Sequence, residues 1–174
     1  MRQAGLFILL LTALPLFGRG QSDSLSTRDS LYHRYYMQKH MAIVTGYQIQ
    51  RNHFAEIGVE IMKDGIVGHH PSTLIYGLSN ELKLSSDFIW GLKAGVWMGG
   101  GIAGLNMGLN LINYTDFQES SLRLRPEIGI GFSVFRVVYG YNFALTNRGF
   151  NGINTHNFAL NIMLKVKTLK EEKR

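Results

Sequence analysis

Between residues 122 and 134 the chain alternates strictly between two kinds of side chain. Leu122, Leu124, Pro126, Ile128, Ile130, Phe132 and Val134 are apolar, while Arg123, Arg125, Glu127, Gly129, Gly131 and Ser133 between them are charged or small. Successive side chains of a β-strand point to opposite faces, so this spacing specifies a strand with one greasy and one polar face. It excludes an amphipathic helix, whose apolar positions recur every three to four residues.

The same period returns along the chain. Met41, Ile43, Tyr47 and Ile49 alternate with Gly46, Gln48 and Gln50; Ile57, Val59 and Ile61 with Glu56, Gly58 and Glu60. Further runs cover residues 74–83, 90–98, 104–111, 137–145 and 157–166, making eight strands. Turn-forming residues separate them at Arg51-Asn52, Asp64-Gly65, Ser85-Ser86-Asp87, Gly99-Gly100-Gly101, Asp116–Ser120 and Asn147–Asn154. A tight link is expected around Phe135-Arg136, and a long connection over Lys63–Ser72. The expected fold is all-β: an eight-stranded antiparallel transmembrane β-barrel, an up-and-down meander over residues 40–167.

Period two alone leaves open which face points inward. An eight-stranded barrel has an interior just wide enough for side chains to fill it. About five large apolar groups per strand would overfill that space, whereas Gly on the opposite face makes room for long charged side chains. The apolar face is therefore expected outside, against lipid. The inner face would carry Glu56, Glu60, Glu81, Lys93, Arg123, Arg125, Glu127 and Lys165, four acids and four bases. Buried charges are costly unless paired, so these predict a salt-bridge network that plugs the lumen. Tyr47, Tyr76, Trp90, Tyr114, Tyr139 and Tyr141 are candidates for aromatic belts at the membrane interfaces.

The ends of the chain read differently. Arg2, the apolar run Leu6–Phe17 and Gly18-Arg19-Gly20 form the pattern of a secretory signal peptide over residues 1–20. That run is too short to span a bilayer as a helix. Residues 21–39 read as a periplasmic lead-in and 168–174 as a charged tail. Net charge is +6, but its basic residues lie in the tail and in alternating strand positions, not on a basic face interleaved with aromatics, so nucleic acid is not expected as a partner. Cysteine is absent, which removes disulfides and thiolate metal sites.

Arg125-Pro126-Glu127-Ile128-Gly129-Ile130-Gly131 followed by Tyr139-Gly140-Tyr141-Asn142 resembles the penultimate hairpin of small outer-membrane β-barrels of Bacteroidota. The overall plan is similar to eight-stranded barrels of the OmpA and OmpX type. The resemblance implies residence in the cell outer membrane, lipid and lipopolysaccharide as surroundings, and the barrel-assembly machinery as a partner in biogenesis. Many such barrels end on an aromatic residue, whereas here the last strand ends near Val166.

Little in the sequence points to chemistry. His69-His70 sits beside Pro71 without carboxylates at ligand spacing, and a metal site needs three or four converging ligands. No cofactor or metal is expected. His156 has no Ser two residues away, the spacing used by one lipid A deacylase family; Asp116, Ser120, Ser121 and His156 could share the outer rim, as in palmitoyl-transferring barrels. The leading expectation is a non-enzymatic barrel with a structural or surface-interaction role. The alternatives are a lipid A-modifying enzyme and a soluble, lipocalin-like binder of a hydrophobic ligand.

Overall fold

The computed structural model of the protein describes residues 36–67, 70–85, 87–101 and 104–173. The expected signal peptide, the lead-in up to residue 35, and His69 lie outside the described residues.

All the regular structure among these residues is β. The strands are β1 (Tyr36–Ile49), β2 (His53–Val67), β3 (His70–Lys83), β4 (Trp90–Gly100), β5 (Leu105–Thr115), β6 (Ser120–Gly131), β7 (Phe135–Tyr141), β8 (Phe143–Ala144) and β9 (His156–Lys173). They form one antiparallel sheet in which β1 to β7 pair in sequence order, β8 pairs with β6, and β9 pairs with both β7 and β1, so the order of pairing runs round a ring. The up-and-down order was expected; the count is nine rather than eight.

Pro126 accounts for the extra strand. Even-numbered residues of β6 and the position just after it bond toward β7 and its continuation, as in Phe132 N–H to the Phe135 carbonyl and Leu145 N–H to the Leu122 carbonyl. Pro126 has no N–H to give, and pairing stops opposite it, between Tyr141 and Phe143. β8 resumes on β6 in the register that β7 left, at Arg123↔Ala144 and Leu124↔Phe143. β7 and β8 therefore share one position in the ring. Asn142 at the break turns its N–H to the Thr155 carbonyl, 2.7 Å away.

The register is staggered. Following partners from Lys165 through Ala42, Glu60, Gly77, Gly95, Asn110 and Arg125 to Asn142, and across its amide bond to Thr155, returns to the chain ten residues earlier. Closing a sheet requires such a stagger, and it tilts the strands against the ring axis.

Several boundaries differ from expectation. β1 begins ahead of residue 40, and β9 runs through the segment expected to be a tail. The long connection expected over Lys63–Ser72 is strand: Asp64 pairs with Thr73 and Gly65 with Ser72, leaving only residues 68 and 69 between β2 and β3. Asp-Gly marks a turn only where no better pairing competes, and here ladder bonds on both sides hold the pair extended. Phe135 and Arg136 belong to β7; the turn before it is residues 132–134.

The strands keep one face in and one face out, except along the end of β9, where residues 164–171 are all exposed. On β5 the buried positions are Asn106, Asn110, Ile112 and Tyr114, while Leu105, Met107, Leu109 and Leu111 are exposed. Two apolar clusters lie inside. Ala42, Val44, Met62, Ile75, Trp97 and Met163 form one. Phe54, Ile89, Ile112, Tyr114 and Phe150 form the other, at the end where β2 starts and β5 finishes. Phe150 reaches it from the 145–155 loop, which folds inward and is tied down by Asn52 Nδ2 donating to the Gly152 carbonyl at 2.9 Å.

Candidate functional site

The chemistry-bearing residues converge on the inner face. Seven of the eight charges expected there are buried: Glu56, Glu60, Glu81, Lys93, Arg123, Arg125 and Glu127. Lys165 is the exception. It sits near the rim, where a β-bulge shifts the β1–β9 register between Met41 and Ala42, and it bonds Asp64 Oδ2 at 2.6 Å. Arg136 takes its place inside, so the buried set is still four acids and four bases.

Lys93 joins two acids, pairing with Glu56 and, at 3.3 Å, with Glu81. Glu56 also accepts from Ser79 Oγ at 2.6 Å, Asn161 Nδ2 at 2.8 Å and Gln48 Nε2 at 3.0 Å. Arg125 is fully buried; it meets Glu81 at 2.9 Å and Glu127 at 3.8 Å. Its Nε donates to Asn142 Oδ1 at 2.6 Å, a side chain in the same inward phase as Arg136, Val138 and Gly140. Arg136 Nη2 pairs with Glu60 Oε1 at 2.6 Å. Arg123 joins none of these pairs among the described residues and donates to the Phe150 carbonyl at 3.4 Å.

Two aromatic rings tie the ion pairs together. Trp97 Nε1 donates to Glu127 Oε2 at 2.8 Å, and the Arg136 guanidinium lies 4.0 Å from its ring centroid. Glycines make the space: a Cβ on Gly95 would meet the indole at 2.7 Å and one on Gly77 at 3.2 Å, and Gly108 touches its other edge. Tyr114 was expected at a membrane interface, but it is buried, with its hydroxyl bonded to both Glu81 and Arg125. Its even position puts it in phase with Asn106 and Asn110, and Gly91 opposite leaves room for the ring.

The other aromatic candidates face outward. The Tyr47 hydroxyl is 2.8 Å from His53 Nδ1, and Tyr139 Oη is 2.6 Å from His156 Nδ1. Tyr141 packs edge-on against His156 with centroids 5.4 Å apart. Trp90 Nε1 donates to Asn80 Oδ1 at 2.9 Å, and Lys63 lies 6.0 Å from the Tyr76 ring centroid. Tyr47, Trp90 and Tyr139 therefore combine an apolar ring with a partnered polar tip.

The possible catalytic residues are engaged separately. His156 is bonded to Tyr139, Ser121 Oγ donates to the Thr146 and Asn147 carbonyls, and the Asp116 carboxylate accepts the Gln118 and Glu119 amides. Those two amides, Glu119 first, hold the Asp116 carboxyl below its ordinary value. A cavity of about 160 Å³ opens at the other end, beside Asp64, Gly99–Gly101, Asn106 and Gly131. Among the described residues, no three His, Asp or Glu side chains group as a metal site.

Comparison with protein-family models, with curated proteins and with solved structures returns no match.

Proposed function

We propose that this protein is a non-enzymatic β-barrel of a Gram-negative outer membrane, with a plugged lumen and a role in envelope structure or surface contact. One observation carries the reading: burial is inverted. Arg125, Glu81 and Lys93 are enclosed, while Ile57, Val59, Leu109, Ile128 and Phe158 are each about half exposed around the outside. A soluble monomer rarely exposes a contiguous apolar patch beyond a few hundred Å², whereas acyl chains accept such a surface without penalty. Pairing round a ring also gives each long strand a neighbour on both sides, which removes the open sheet edge that a bilayer forbids.

The interior argues against a soluble binder of hydrophobic ligands, since ion pairs and Trp97 occupy the space such a ligand would need. It argues equally against an open pore. The arginine–proline–glutamate run in β6 and the Tyr139–Asn142 segment support a resemblance to small Bacteroidota barrels. Export through the N-terminal signal, and assembly by the barrel-insertion machinery, belong to the same proposal. The longest loop folds inward, which leaves short surfaces for contact outside the cell.

Fractionation tests this. The protein should pellet with membranes, require detergent for release, and migrate differently on a gel before and after boiling. Recovery from the soluble periplasm without detergent contradicts it.

A further inference from the structure

The end of the ring where β2 starts and β5 finishes holds a buried cation without a counter-ion. Arg123 is 4% exposed and meets no carboxylate among the described residues. Its Nη2 donates to the neutral Phe150 carbonyl at 3.4 Å, and its Nε is buried and unpartnered. The acids at this end are engaged elsewhere: Asp87 with Lys83 at 3.6 Å, Asp116 with the Gln118 and Glu119 amides, and Glu119 with Asn147 Nδ2 at 2.9 Å. A buried charge without a partner is expensive. An aliphatic side chain would pack on Phe150 without that cost.

Further donors gather under the same stretch of loop. Lys83, whose side chain is 5% exposed, places its Nζ 3.5 Å from where a Cβ on Gly152 would lie. Gln50 accepts the Asn154 N–H at 3.2 Å and leaves its own Nε2 buried and unpartnered. Residues 150–154 thus lie across two cations and an idle amide, tied down by Asn52 at the Gly152 carbonyl. We infer that Arg123, Lys83 and Gln50 form a site for a phosphate-type oxoanion, either free phosphate or a small soluble phosphate ester, and that the 145–155 loop is its strap. A guanidinium fork matches two oxygens of such an anion, and an ammonium adds a point charge. The anion takes the place that the Phe150 carbonyl holds, so the strap lifts as it binds. The site lies one inward position beyond Arg125 on β6 and needs no lipid, so it stands apart from the membrane reading.

The test uses the folded full chain in a zwitterionic detergent, titrated with inorganic phosphate, with glycerol phosphate, or with sodium chloride at equal ionic strength. Urea unfolding reads the folding equilibrium, and hydrogen exchange at the 149–153 amides reads the strap. A ligand at about ten times its Kd shifts the equilibrium about tenfold. Phosphate should give a saturable shift that reaches this size, chloride should give none, and the strap amides should exchange faster as the site fills. Arg123→Met should fold at least as well without phosphate and should lose the shift. Lys83→Gln, which keeps Arg123, should weaken binding several-fold. Asn52→Ala, which unties the strap, should tighten it. R51Q/R148Q, which removes exposed charge at the same end, should leave it unchanged. A response to inorganic phosphate alone supports the free ion, and an equal or stronger response to glycerol phosphate supports an ester. No response to either phosphate, an equal response to chloride, or undiminished binding in Arg123→Met or Lys83→Gln overturns the inference.

Discussion

The pair Glu60–Arg136 offers the sharpest perturbation of the packed interior. It links β2 to β7 across the ring, with 2.6 Å between Oε1 and Nη2 and each side chain only 1% exposed. Removing one partner strands the other charge in a site that excludes water, which costs about 3–5 kcal/mol for a buried pair. Glu60→Met should fall in that range. Arg136→Met should cost at least as much, because it also ends the cation–π contact with Trp97, worth about 2 kcal/mol when desolvated. Replacing both by apolar residues of similar size removes the charges together. The double variant should then lie within about 2 kcal/mol of the native protein, far from the sum of the singles. Urea unfolding in bilayers, followed by tryptophan fluorescence and by the gel shift on boiling, measures all four members of the cycle. In a water-filled lumen the pair would behave as an exposed one, worth about 0–1 kcal/mol. Single variants costing under about 1 kcal/mol, or a double equal to their sum, would refute the plugged interior.

Gly108→Ala places a methyl group against the Trp97 indole. Overpacking of this kind costs about 1–3 kcal/mol, and adding Trp97→Phe should recover part of it; the same unfolding assay reads both. Asp116 should titrate below its ordinary value of 3.8 by NMR. Its depressed folded value means that the turn it caps is stabilised above the unfolded pKa and loses that support as pH falls through the folded one. Protection of the Gln118 and Glu119 amides against hydrogen exchange, taken relative to their intrinsic rates, should accordingly fall as the pH drops through the folded value.

The ring was legible in the sequence because each strand must present two different faces, and period two records that directly. Placement of seven inner charges followed from phase alone. The misses have local causes. Asp64-Gly65 and Phe135-Arg136 looked like connections, which hid Asp64 and Arg136, although both continue the polar phase of their strands. Trp97 also continues the inner phase of Gly91, Lys93 and Gly95. Its site exists only because Gly77, Gly95 and Gly108 from three strands meet there, a register effect that no single strand displays. Lys165 kept its phase but lies at the rim, where bulges in β9 shift the ladder. The interruption at Asn142 could have been foreseen from Pro126 once β6 and β7 were aligned.

Single cysteines carrying nitroxide labels at outward positions test the central claim most directly, since the native chain contains no cysteine. Ile57, Val59 and Leu160 suit, because all are exposed and none touches the inner network. In reconstituted bilayers each label should collide freely with dissolved oxygen, which concentrates among acyl chains, and poorly with a water-soluble nickel reagent. Strong relaxation by the nickel reagent at all three positions would mean that this apolar surface faces water, and would contradict the account.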